Sequence, residues 1–247
     1  MKYTYLLIDF FTVIIPLIFS FHPKIKFNKW WVQFFIANAA VALVFICWDA
    51  YFTSLGVWSF NENYTVGWRV VGLPIEEILF FTCIPFSCVF TYYSLNKFYN
   101  LKWNDRLETI SCVVLSSVLL VVGIWYYDRL YTSYTFISTA VLCLLMKFVV
   151  KVNWFSQLLT VYAVLLIPFF IVNGLLTGTG LEAPVVMYND NENLGIRIVT
   201  IPVEDIFYGF ELVILNVFLF ELQRKFKKTL DLNILEHQKK NMITKSA

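Results

Sequence analysis

Two pairs of neighbouring carboxylates, Glu76-Glu77 and Glu204-Asp205, each begin two residues after a proline, and each opens a long apolar run. The surrounding pattern occurs twice. Asn61-Glu62-Asn63, Gly67, Arg69 and Pro74-Ile75-Glu76-Glu77 return as Asn189-Asp190-Asn191, Gly195, Arg197 and Pro202-Val203-Glu204-Asp205, at one offset of 128 residues (189 − 61, 204 − 76) and without a gap. Acids at the mouth of an apolar helix are costly, and favourable contact with the helix dipole returns only about 0.3–1 kcal/mol. Capping alone does not require the same Asn, Gly and Arg upstream in both copies. The duplicated set points to acid–base chemistry, in which one carboxyl gives a proton and another takes one.

Helical spacing adds candidates around Glu76, Glu77, Glu204 and Asp205. Glu204, Tyr208 and Glu211 stand at i, i+4 and i+7, so one helix face is expected to carry all three. Glu211 should lie roughly 10 Å beyond Glu204, facing the bundle interior, where desolvation favours the neutral acid a general acid must be. Asp49, late in an earlier apolar run, is matched by Asn173 in the second copy. It reads equally as a catalytic acid or as a partner for Arg69. Arg69 and Arg197 are expected to orient carboxylates, while Asn63 and Asn191 read as supporting groups or turn formers. With 25 Phe, 14 Tyr and 8 Trp, most aromatics must be core or lipid-facing. Trp48, Trp58, Trp68, Phe80, Phe81, Phe207 and Tyr208 surround the motifs and could line a pocket that stabilises a carbocation.

These residues must be positioned inside a membrane. The 247-residue chain is 59% hydrophobic and 15% charged, with mean hydropathy +0.69. Apolar runs long enough to span a bilayer, roughly 20 residues each, fall at about 4–21, 31–53, 74–95, 109–127, 132–150, 155–176 and 202–222. The fold class expected is an all-α polytopic bundle of seven transmembrane helices. A repeat at about 3–97 and another at about 131–225 flank a linker span at about 108–128, and together they form one domain over 1–226. Corresponding spans are four apart, so the repeats are parallel and both acidic motifs emerge on one face. Lys24, Lys26, Lys29, Lys97, Lys102, Arg106, Lys147 and Lys151 cluster on the other side, which predicts an external N-terminus and a cytoplasmic C-terminus in the cell membrane. The first run lacks a small-residue cleavage site and reads as a retained helix. The tail 227–247 is polar and is expected to be mobile or to lie on the cytoplasmic surface. The five cysteines fall within spans without a CxxC and read as buried free thiols. His22 and His237 lie in polar segments, so no histidine-bound metal is expected.

The twin segments Pro74-Ile-Glu-Glu-Ile-Leu-Phe-Phe81 and Pro202-Val-Glu-Asp-Ile-Phe-Tyr-Gly-Phe210 resemble the integral-membrane lycopene cyclases of bacteria and archaea, in their fused form. The resemblance runs from about residue 3 to 225. It implies an isomerase that cyclises the ψ end groups of lycopene to β rings, with Glu76, Glu77, Glu204 and Asp205 carrying the protons. The partners it implies are the carotenoid substrate and the lipid bilayer, with self-association or other carotenoid-pathway enzymes left open and no nucleic acid. No Gly-x-Gly-x-x-Gly fingerprint for a flavin or nicotinamide appears, and no tightly bound redox cofactor is expected. Paired intramembrane acids also suit a proton-coupled transporter, and a carotenoid-binding membrane protein is a further alternative. A retinal-binding protein is disfavoured, because residues 202–222 contain no lysine.

Overall fold

The computed structural model describes the backbone of residues 2–246 and the side chains of 2–234 and 236; His237 lies outside the described side chains. The chain is all-α, with seven helices among the described residues: α1 (Thr4–Phe19), α2 (Trp31–Ser54), α3 (Ile75–Phe98), α4 (Asp105–Trp125), α5 (Leu130–Leu144), α6 (Phe155–Leu176) and α7 (Glu204–Ser246). Five of them, α2 to α6, are long and apolar enough to cross a membrane, α5 by way of a π-helical extension over Leu145–Val149. This is a membrane protein. At 16 residues α1 is about 24 Å long, somewhat short of a hydrocarbon core of about 30 Å. The polar tail is not a separate element, since α7 runs 43 residues without a break. Asn104 caps α4 by accepting a hydrogen bond from Arg106 N, which starts that helix four residues before its apolar run. Among the cysteines only Cys112 and Cys143 are buried, and Cys47 faces outward from α2, contrary to expectation.

The internal repeat is visible in how the helices pack. α1 lies along α3 as α5 lies along α7; α2 packs on α7 as α6 packs on α3; α3 and α7 meet between them. α4 stands outside, against α5. Buried Asn38 ties three of these helices together, donating to Phe81 O on α3 (2.9 Å) and to Asn216 Oδ1 on α7 (3.1 Å).

The segments before α3 and α7 contain six short strands: β1 (Trp58–Phe60), β2 (Arg69–Val70), β3 (Leu73–Pro74), β4 (Val186–Tyr188), β5 (Arg197–Ile198) and β6 (Ile201–Pro202). β2 and β3 form a hairpin pairing Arg69 with Pro74, and β5 and β6 repeat it with Arg197 and Pro202. Both turns place a valine in the left-handed region, Val71 at φ 53° and Val199 at φ 60°, which costs of order 1–3 kcal/mol for such a residue. The arginines brace these turns. Arg69 Nη1 donates to Gly72 O at 2.9 Å and Arg197 Nη1 to Thr200 O at 2.8 Å. Their other ends pair with Glu62 and Asp190, not with the Pro-x-Glu carboxylates. The strands β1 and β4 pair with each other, in antiparallel register centred on Ser59 and Met187, which are themselves 128 residues apart.

Candidate active site

The prolines stand just before their helices rather than within the first turn. Pro74 caps α3 with extended backbone (ψ 148°), and α7 starts at Glu204. One residue further round a helix is a rotation of about 100°, so the two acids of each pair face different surroundings. Glu76 and Glu204 are fully buried and turn back onto their own loops. Glu76 Oε1 accepts from Val66 N at 2.6 Å, and Glu204 Oε1 accepts from Leu194 N at 2.8 Å, each ten residues upstream. Glu204 also accepts from the Thr132 hydroxyl of α5 at 2.6 Å. The second oxygen of each carboxyl is buried without a hydrogen-bond partner.

Glu77 and Asp205 point the other way, into a cavity of about 750 Å³ walled by α1, α3, α6 and α7. Inward residues of β1 and β4, among them Trp58, Phe60 and Tyr188, roof it. Glu77 Oε2 accepts from the Tyr5 hydroxyl at 2.5 Å. Asp205 is held more firmly: Tyr131 donates to Oδ1 at 2.6 Å, while Tyr188 and Asn173 donate to Oδ2 at 3.0 and 3.4 Å. Asp49, from α2, lines the same space and accepts from Trp58 Nε1 at 2.5 Å; its Oδ2 is buried and unpartnered. No lysine or arginine is among the lining residues. Tyr188 lies in the roof, where burial and then the neighbouring Asp205 push its hydroxyl well above the usual tyrosine range, so it stays a donor. Below the acids the walls are almost wholly apolar. Along α3 the lining runs from Glu77 to Thr91, 14 residues (91 − 77) or roughly 21 Å.

The face expected to carry Glu204, Tyr208 and Glu211 together is divided. Tyr208 lines the cavity with a buried hydroxyl that has no partner. Glu211 turns to α5 like Glu204, accepting from Ser138 and Thr139 at 2.5 and 2.8 Å. Asn63 and Asn191 give their backbone N–H groups to Asn61 and Asn189 in matching turns, away from the cavity. Of the aromatics singled out from sequence, Trp58, Phe80 and Tyr208 line the cavity. Trp48 packs on the Tyr208 ring, Phe207 on Phe136, Phe81 on Phe45, and Trp68 is 73% exposed.

Four residues at or beside the cavity escaped the sequence reading. Tyr5, Tyr131 and Tyr188 hold the cavity carboxylates, and nothing distinguishes them among 14 tyrosines. Asp9, on α1 one turn beyond Tyr5, is 2% exposed with neither oxygen hydrogen-bonded. Its signal was available, since an acid in the middle of an apolar run is costly.

No curated protein and no solved structure matches the chain. The family model for lycopene cyclase matches it twice, over residues 2–95 and 128–223. Those two stretches contain every carboxylate of the cavity and of the loop anchors, and cover most of the sequence: the chain belongs to the lycopene cyclase family.

Proposed function

We propose that this protein is a lycopene β-cyclase that isomerises ψ end groups by moving protons within the single cavity beneath β1 and β4. The observation that carries the reading is that two repeat-equivalent acids, Glu77 and Asp205, open into one aromatic-roofed, otherwise apolar space. Three carboxyls share that space without a cation, so at least one of them carries its proton. Glu77, with a single donor, is the acid in this reading. Asp205, with three, suits the charged state and is the base.

The steps balance without a redox partner. Glu77 protonates C2 of the terminal C1=C2 double bond, leaving a tertiary cation at C1. The C5=C6 double bond attacks it, the C1–C6 bond closes the six-membered ring, and the cation moves to C5. Asp205 removes the C6 proton, and the electrons left behind form the C5=C6 bond of the β ring. Aromatic faces of Trp58, Phe80 and Tyr208 stabilise the cation without competing as nucleophiles. Glu76 and Glu204 act as loop anchors, fixing the segments that carry the roof. Between turnovers the carboxyls exchange with solvent, so Asp205 gives up the proton it took and Glu77 regains a solvent proton, with the unpartnered Oδ2 of Asp49 as an acceptor on the way.

The arrangement proposed is one seven-span domain over 1–226, in which the halves are parallel. The pairing of β1 with its own repeat equivalent β4, centred on Ser59 and Met187, supports this. Antiparallel strands are related by a two-fold axis through their midpoint, and that axis along the membrane normal would make the halves parallel. The lysines and arginines at the opposite ends of the helices support an external N-terminus, a cytoplasmic C-terminus and an external cavity roof.

Purified protein given lycopene in D2O tests the reading. The expected result is a cyclic carotenoid carrying one solvent deuterium at ring C2 per ring formed. Unchanged lycopene would end the cyclase reading. Cyclic product without ring deuterium would end the acid–base mechanism and require another hydrogen source.

A further inference from the structure

The two halves present equivalent walls, yet among the described residues the large cavity lies on the α1–α6 side. Offsetting α2 by 124 residues (173 − 49) superposes Asp49 on Asn173, Trp48 on Val172 and Phe52 on Leu176. On the α2 side two larger rings fill the space, Trp48 on Tyr208 at 5.6 Å and Phe52 on Tyr134 at 5.7 Å, while Phe45 has a ring for its counterpart too, Phe169. The helix facing each wall differs in the same sense. Phe81 of α3, fully buried against Phe45, corresponds to Gly209 of α7 (209 − 128 = 81), which lines the cavity. The chamber on the α6 side thus faces smaller side chains than the equivalent wall of α2.

The open chamber is also open sideways. Its lining includes Phe11 and Ile15 of α1, 65% and 62% exposed, and Ile171 of α6, 62% exposed. These side chains face the cavity and the surroundings of the bundle at once, at an edge where α1 and α6 touch only slightly. The acids lie at one end of the chamber, and the slot runs beside its apolar length.

We infer that the slot between α1 and α6 is a binding site for the distal arm of the polyene, so that one end group occupies the chamber while the rest of the chain lies in the slot against lipid. This rests on the function proposed above and adds a substrate rule to it. The enzyme recognises any long apolar polyene with one ψ end, whatever the other end carries. Each binding event closes one ring, and a second ring requires the molecule to leave, reverse and re-enter.

Two readouts on one preparation test this, with Cys47→Ser removing the exposed native thiol. A membrane-permeant maleimide is applied to Phe11→Cys, and to Val121→Cys on the lipid-facing side of α4 as a control. Lycopene at roughly ten times its Kd should slow labelling at position 11 about tenfold, following site occupancy, and leave position 121 unchanged. Equal labelling at position 11 with and without lycopene would overturn the slot, even if rings still form. Protection there without ring formation would sink the proposed reaction and leave the slot standing. In parallel, isotopically labelled monocyclic intermediate is added to a lycopene reaction. Its appearance in doubly cyclised product in proportion to its share of the pool supports one ring per visit. Doubly cyclised product that excludes the added label would overturn it.

Discussion

Glu77 and Asp205 occupy the same position in two repeats, yet Glu77 accepts one hydrogen bond and Asp205 accepts three. The extra donors stand at positions where the two copies differ. Tyr188 reaches down from β4, whereas its equivalent on β1 is Phe60 (188 − 128 = 60), a ring with no hydroxyl to give. Asn173 of α6 is matched on α2 by Asp49, whose carboxyl has no amide to give, while Tyr131 and Tyr5 serve the two acids alike. The repeat is thus asymmetric at these two carboxyls, as the proposed acid and base would require.

Glu77→Gln and Asp205→Asn should each lower cyclisation by about 100-fold or more, the usual range for losing a positioned acid or base. Shape and much of the hydrogen bonding survive, so both proteins should remain folded. Initial rates with lycopene, read beside thermal unfolding, check this. Wild-type rates for both variants would remove the assignment.

Glu76 and Glu204 should separate from that pair. Their →Gln variants retain an acceptor for Val66 N and Leu194 N and should keep most activity. Their →Ala variants leave the half-buried N–H groups of Val66 and Leu194 without that acceptor, at up to about 1–3 kcal/mol each. The larger loss is expected at Glu204, which also holds Thr132. Denaturation in detergent measures the difference, and a greater loss for Glu76→Ala would contradict it.

Tyr208→Phe should leave stability unchanged or slightly higher, because the hydroxyl it removes is buried and bonded to nothing. Its repeat equivalent is already Phe80 (208 − 128). Tyr208→Leu removes the ring face and should slow turnover about tenfold, the kinetic equivalent of a desolvated cation–π contact. Equal rates for the Phe and Leu variants would show that the ring does not meet the cation.

The loop ion pair supplies a pH test outside the membrane. Burial acts to raise Asp190, but hydrogen bonds from Arg197 and Asn193 outweigh it and hold the carboxyl below its ordinary 3.8. A depressed folded value means the stabilisation is present above the unfolded value and is lost as pH falls through the folded one. Unfolding temperature should therefore decline below about pH 4, and Asp190→Asn should flatten that decline. The effect will be small, since Asp190 is 60% exposed. An unchanged slope in the variant would place the acid sensitivity elsewhere.

Five of the spans and the doubled acidic motif were legible because they depend on long apolar runs and on an offset that holds at 128 throughout the motif. The strands were not. Segments of two or three residues have no measurable period, and β1 pairs with a partner more than a hundred residues away. Which acid of each pair meets the cavity was equally hidden, since adjacent helix positions differ by about 100° and only packing fixes the rotation. Sequence spacing put Glu204, Tyr208 and Glu211 on one face. The cavity wall cuts between them, because α5 draws both glutamates to its hydroxyls at Thr132, Ser138 and Thr139.

The strand pair over the cavity also has a cost in time. β1 ends at Phe60 and its partner begins at Val186, so 126 residues (186 − 60) must be synthesised before the pair can form. At roughly 5–20 residues per second that is about 6–25 s. Throughout this interval Trp58, Ser59 and Phe60 present an unpaired edge, available to a neighbouring nascent chain. Crowded synthesis should therefore favour exchange of these strands between molecules, and the chains so joined would each carry the other's roof.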